Sequence, residues 1–154
     1  RPDGLFLGAF VGGNSLSTLR AVLREAEGER PVARLHPQVD LRSAGDLLVR
    51  AGLTLPVADS ETLTVRYAAF GRLLDDLRGM AGSNVLATRH PLRREVLARA
   101  AAAFAARADP DGRTAERFDL IFLTAWSPSP DQPQPARRGS AGASLAASLR
   151  PPAG

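Results

Sequence analysis

Polar side chains at the ends of apolar segments are where a folded chain can meet a ligand. Three such positions stand out here: Asn14, Tyr67 and Asn84. Asn14 follows Gly12-Gly13 in a break between an apolar strand and a helix, a tight turn or a substrate-facing loop. Gly8, Gly12 and Gly13 match neither G-x-G-x-x-G nor a P-loop, and the chain has no Lys to complete the latter. Tyr67, the single tyrosine, ends a β-rich segment, where it either faces a ligand or packs on the next helix. Asn84 follows the glycine-rich break Gly79-Met80-Ala81-Gly82-Ser83. Its amide faces a substrate or takes a left-handed helix cap.

Other chemistries find less support. His36 and His90 each sit beside a proline without a partner at H-E-x-x-H spacing, so no metal site is expected. His36 reads as a partly exposed loop histidine, with a cleft position as the alternative. The absence of Cys removes thiolate ligands, thiol nucleophiles and disulfides. Ser60, Ser83 and Ser140 lack a nucleophile-elbow context. Asp75 and Asp76, among Arg72 and Arg78, read as a solvated helix face with surface ion pairs.

The elements that must position these residues follow from apolar patterning. Leu5 to Val11 is a nearly continuous apolar strand, which predicts burial on both faces, as in the centre of a helix-covered parallel sheet. Ser15 is placed to cap a helix carrying Leu16, Leu19, Val22 and Leu23 on one face, with Gly28 as its stop. A loop from Glu29 to Val39 leads to Asp40, which caps a second helix bearing Leu41, Ala44, Leu47, Leu48 and Ala51 and ended by Gly52 at C′. Leu53–Ala58 and Leu63–Tyr67 are β-rich pieces that form a hairpin or one long bent strand. Ala69 to Met80 returns to helical period, with Phe70, Leu73, Leu74, Leu77 and Met80 on one stripe, and ends at Gly82-Ser83-Asn84. A further helix follows Pro91 through an alanine run, Asp109-Pro110-Asp111-Gly112 is a turn, and Phe118 to Trp126 is the last strand. Beyond Trp126 the chain becomes rich in Pro, Ser, Gly and Ala. The expected division is therefore an α/β body over 1–127 and an extended or disordered tail over 128–154.

The 154 residues suffice for one domain, and no apolar run reaches the roughly 18 residues of a membrane span. The net charge is +4, half of it from Arg137, Arg138 and Arg150 against Asp131 in the tail. All 20 basic residues are Arg, which raises the isoelectric point without making a basic patch, so nucleic acid is not an expected partner. The chain does not begin with Met or with a signal-like segment, and residues preceding Arg1 are expected.

Several segments resemble class I S-adenosylmethionine-dependent methyltransferases. Arg1-Pro2-Asp3-Gly4-Leu5-Phe6-Leu7-Gly8-Ala9 resembles the strand after their K-P-G-G turn, and Leu47-Leu48-Val49-Arg50-Ala51-Gly52-Leu53 resembles their L-L-x-x-A-G-F element. More specific are Gly12 to Arg20, Val65-Arg66-Tyr67, Leu77-Arg78-Gly79-Met80, Ser83-Asn84, and Leu123-Thr124-Ala125-Trp126 leading to Arg138-Gly139-Ser140-Ala141. This set is similar to the C-terminal half of the methyltransferase-like family of the mitochondrial complex I assembly arginine hydroxylase and its bacterial relatives. A cousin is the malonyl-carrier-protein methyltransferase of biotin synthesis. The sequence departs from that family at Asn14, usually an acid; at Ala68, usually Pro; at Ala81-Gly82, usually Gly-Ala; and at Ser129, usually His.

The resemblance implies a partial Rossmann-like fold, strands five to seven with their helices, in which the last strand runs antiparallel to the first within one sheet. It implies S-adenosylmethionine as cofactor of the full-length protein, held by a glycine-rich loop and an acid that have no counterpart in residues 1–154, so this chain alone is expected to be inactive and to bind none. Asn14, Tyr67 and Asn84 then fall on the substrate side. The implied activity is methyl transfer to a small-molecule, carrier-bound or protein acceptor. Arginine hydroxylation during assembly of respiratory complex I is one alternative, and a non-catalytic binding module is another. The implied location is the bacterial cytoplasm, or alternatively the mitochondrial matrix.

Overall fold

A computed structural model of the protein describes residues 1–29, 32–82 and 84–132. The apolar period placed between Leu16 and Leu23 closes one face of helix α1 (Ser17–Glu27), where Leu19, Val22, Leu23 and Ala26 are buried. It follows strand β1 (Leu5–Gly12) and precedes helix α2 (Leu41–Arg50), strand β2 (Thr54–Tyr67), helices α3 (Phe70–Gly79) and α4 (Arg94–Ala105), and strand β3 (Thr114–Trp126). The three strands form one sheet in the order β1-β3-β2, with β3 antiparallel to both neighbours. Among the described residues the result is a mixed α/β fold of one antiparallel sheet and four helices, with the first and last strands paired as expected.

Side-chain alternation on the sheet separates two cores. On one face α1, α3 and α4 bury Phe70, Leu73, Phe104 and Phe118 together with Tyr67. The Phe70 and Phe104 rings lie 5.4 Å apart in a tilted pair. On the other face α2 places Ala44 and Leu48 on Ile121, Leu123 and Ala125. Phe10 faces this second core and the neighbouring Val11 faces the first, as a period of two requires.

The open alternative over 53–67 resolves as one strand. β2 runs unbroken against β3, with a register irregularity between Thr54 and Val57 that absorbs the bend. Asp40 caps α2 as expected, its carboxylate accepting from the Ser43 N–H at 2.8 Å. Gly52, at φ 78°, closes that helix: its N–H reaches the Val49 carbonyl and the Leu53 N–H reaches that of Leu48.

Other expectations are corrected. Ser15 does not cap α1. Leu16 occupies the N-cap in the left-handed region, and the Ser15 hydroxyl is buried between β1 and β3, donating to the Gly12 carbonyl and accepting from the Asp119 N–H at 2.7 Å. β1 is not covered on both faces. It pairs with β3 alone among the described strands, and Leu5 and Leu7 are 55% and 69% exposed. Continuous apolarity shows that both faces of a strand are apolar, not that helices lie on them. β3 begins at Thr114, four residues before Phe118, because Glu116 and the Thr114 hydroxyl find buried partners that offset their polarity. α3 ends at Gly79, and Ala81 takes the left-handed position that was offered to Asn84. Met80 and Leu47 are exposed, off the packed stripes.

The segment after β3 is tied to the sheet as far as Gln132. That side chain donates to Asp3 and to the Ser127 carbonyl and accepts from the Thr54 hydroxyl at 2.7 Å. The rest of the expected tail lies outside the described residues, as does Ser83.

Candidate functional site

Two irregular segments, 32–40 and 84–93, cross the end of α1 and the side of α3, and between them lies a cavity of about 390 Å³. Arg34 joins the two segments. Its guanidinium pairs with Glu27 on α1, donates to the His90 carbonyl at 2.5 Å and reaches the Pro91 carbonyl at 3.5 Å. The Arg34 and Glu27 side chains are only 11% and 9% exposed, so this ion pair is one of the better shielded in the fold.

The cavity floor is hydrocarbon from Leu16, Leu19, Leu23, Phe70, Leu74 and Leu77. Asn84, His36 and His90 all line it, the cleft alternative for His36. The Oδ1 of Asn84 accepts the Leu86 N–H at 2.9 Å, an Asx turn that orients the amide at the cavity wall. A second cavity, about 460 Å³, is lined by Gly13, Asn14, Ser15 and Arg20. Gln38 lines both, and its buried Oε1 has no hydrogen-bond partner among the described residues. Asn14 and Asn84 thus face neighbouring spaces that meet at Gln38.

Tyr67 lies elsewhere. It is 6% exposed in the core that also holds Phe70, and the packing reading of its position is the one observed. Burial, then the Asp76 carboxylate beside its hydroxyl and the charge of Glu116, push its pKa up to about 12. Asp75 meets Arg78 at 2.9 Å on the exposed face of α3, as its spacing predicted.

In the Gly12-Gly13-Asn14 turn, Gly12 and Gly13 leave no room for a side chain, while Asn14 borders the second cavity. A Cβ at Gly12 would lie 2.5 Å from the Val39 carbonyl oxygen, and one at Gly13, where φ is 60°, would lie 2.7 Å from the Asp119 carboxylate. The N–H groups of such a junction are the usual seat of an anion. Here Gly13 donates to the Val39 carbonyl and Asn14 to Asp119 Oδ2 at 2.9 Å. Thr18 and Leu19 donate to the two oxygens of Glu116 at 3.0 and 2.7 Å. The chain's own carboxylates occupy the positions an anionic cofactor group would take, so this turn does not fit one. Asp119 also accepts from Arg117 and Thr62, and the Arg117 bond foremost, with those of Asn14 and Thr62, holds its pKa below the usual carboxylate value.

Glu116, Asp119, Gln38 and Arg34 are the site residues that sequence reasoning missed. For the first two a signal existed: acids interrupting an apolar strand need buried donors. Gln38 and Arg34 sit in a loop whose path no local pattern reveals. No cluster of three or more His, Asp or Glu suited to a metal occurs among the described residues. No helix among them is long and apolar enough to cross a membrane.

Comparison with known proteins bears out the resemblance. The chain is 34% identical to the zebrafish (Danio rerio) mitochondrial arginine-hydroxylase NDUFAF5 over 95% of its own length and 47% of the relative's. The human NDUFAF5 is likewise 34% identical, over 92% of this chain and 42% of that protein. The malonyl-[acyl-carrier protein] O-methyltransferase of Laribacter hongkongensis is 30% identical over 84% of this chain and 43% of that enzyme. The chain thus spans less than half the length of these curated relatives. No family model matches it.

Proposed function

We propose that this chain supplies the acceptor side of an S-adenosylmethionine-dependent methyltransferase-like enzyme, over residues 1–127, with 128–154 as an appended tail. The observation that carries this reading is similarity, over 81 to 95% of the chain, to relatives named for two different enzymatic reactions. Sheet order supports it too. The last strand runs antiparallel to the first within one sheet, as the resemblance implies, and the exposed apolar edge of β1 suits pairing with further strands.

The cofactor supplies an activated methyl group when bound by the complete enzyme. This chain's residues hold the acceptor: Asn14 and Asn84 face it, and Tyr67 supports the wall from the core it shares with Phe70. Positioning of this kind can supply much of a methyl transfer's rate. The acceptor is a small molecule, a carrier-bound group or a protein, in the bacterial cytoplasm or the mitochondrial matrix. The test is to incubate the complete gene product with methyl-labelled S-adenosylmethionine and these acceptor classes. Label on an acceptor supports the reading, and its absence from all of them overturns it.

A second reading is arginine hydroxylation of a respiratory complex I subunit, favoured by the larger share of this chain matched by the NDUFAF5 relatives. In the same incubation, carried out in air with a reductant to supply the two further electrons that dioxygen requires, it predicts the mass gain of one oxygen atom on an arginine and no transferred label.

A further inference from the structure

The cavity beside Asn84 adjoins a further space of about 480 Å³ that lies against β1 and β3, where Ala9, Val11, Leu120 and Phe122 line it. The two share Leu16, His36, Gln38, Leu77 and Gly82, which form the neck between them. Gln38 stands in that neck and also borders the space at Asn14. The chain beside it is held in place, since the Val39 carbonyl accepts the Gly13 N–H at 2.8 Å. Yet its amide oxygen is enclosed and accepts from no donor among the described residues. A buried acceptor without a donor is an exception in folded chains and is costly. Water is a poor remedy in the neck, because the Leu16 and Leu77 side chains offer it no further hydrogen bonds.

We infer that Gln38 is the residue that sets the selectivity of this cleft: its Oε1 accepts a hydrogen bond from a neutral N–H or O–H that an otherwise apolar ligand carries where it threads the neck. The hydrocarbon beside that donor lies on Leu19, Leu23, Phe70 and Leu74 in one space and on Val11 and Phe122 in the other, removed from water. The donor is neutral because Arg34, Arg78 and Arg89 line the first space and no Asp or Glu lines either among the described residues, so a cation would sit among like charges. A site built around an acceptor rejects a ligand of the same shape that lacks the donor, since the acceptor is then left unpaired. The inference rests on the reading of this cleft as the acceptor side and adds to it the group by which the acceptor is chosen.

Titration calorimetry with two pairs of equal shape tests it without cofactor or turnover, so a failed transfer assay and a failed donor preference remain separate results. The pairs are N-hexylacetamide against hexyl acetate, in which an oxygen replaces the N–H, and octanol against heptyl methyl ether, in which the oxygen carries no hydrogen. In at least one pair the donor should bind about fivefold or more tightly than its partner, and which pair does so tells an amide from a hydroxyl. Gln38→Met keeps the length of the side chain and removes the amide. It should bring each pair within about twofold and raise the thermal midpoint, because the unpaired acceptor is gone. Equal binding within both pairs by the unsubstituted protein, or no binding of any probe, would overturn the inference. A preference that survives Gln38→Met would also overturn it, by assigning the donor to another acceptor such as the Oδ1 of Asn84. A midpoint that fails to rise in Gln38→Met would do the same, by showing that Oε1 already has a partner in the free protein.

Discussion

The Glu116 carboxylate accepts the Leu19 N–H at 2.7 Å across 97 residues of sequence, and through this contact the last strand closes the first helix. Thr18 donates to the other oxygen at 3.0 Å. A fully buried acid is costly without partners. A helix N-terminus without a side-chain cap is short of acceptors, and each defect satisfies the other.

Glu116→Ala should therefore destabilise the fold by about 2 to 4 kcal/mol, combining a lost cap with buried N–H groups left unpaired. Glu116→Gln keeps one acceptor and should cost about half as much. Urea unfolding of both variants measures this. A loss below about 0.5 kcal/mol for Glu116→Ala would show that water replaces the carboxylate.

Ala81 closes α3 at φ 55°, with its N–H bonded to the Arg78 carbonyl and the Gly82 N–H to that of Leu77. This is the position where glycine avoids a Cβ penalty of about 1 to 2 kcal/mol. Glycine's extra freedom in the unfolded chain takes back part of that gain. Ala81→Gly is expected to stabilise by about 0.5 to 1 kcal/mol, read as a rise in thermal midpoint. A fall in midpoint would mean that the helix ends differently.

Asp119 and Tyr67 set opposite pH limits. The Arg117 hydrogen bond first, then those of Asn14 and Thr62, hold the folded pKa of Asp119 below its unfolded value. Its contribution is thus present above about pH 4 and is lost as pH falls through the lower folded value. Tyr67, raised to about 12 mainly by burial, contributes fully below about pH 10 and loses that contribution as pH rises from there to about 12. In stability measured against pH, Asp119→Asn should flatten the acid limb alone and Tyr67→Phe the alkaline limb alone. Both limbs unchanged would remove these groups from the account.

How much of this was legible in the sequence depends on how far apart the partners lie. The Asp40 cap, the Gly52 stop and the turn at 109–112 each depend on contacts within a few residues, and each is found where its residue types predict. β2 was ambiguous because only its pairing with β3 keeps Asp59, Ser60 and Glu61 in a strand. Ser15 looked like a cap because its spacing is right, but the Asp119 backbone 104 residues away takes its hydroxyl. For the site, the glycine break before Asn84 was visible. The cavity was not, since it needs Arg34 to draw together loops more than fifty residues apart.

Asn84 offers the sharpest functional test, because its two amide atoms do different things. Its oxygen holds the Leu86 N–H, which shapes the loop, and its nitrogen is the part left to meet a ligand in the cavity it lines. Asn84→Asp keeps an acceptor for Leu86 and removes the NH₂ donor, whereas Asn84→Ala removes both. A buried partner left unpaired costs about 1 to 3 kcal/mol, and 1.4 kcal/mol is a factor of ten. In the complete enzyme both variants should then lower turnover per folded molecule by roughly tenfold or more. Tyr67→Phe, behind the wall, should lower turnover less than either variant, since it leaves the donor in place. Steady-state kinetics corrected for the folded fraction decides the matter. Full activity in Asn84→Asp with loss only in Asn84→Ala would make Asn84 a loop-shaping residue that never touches the acceptor.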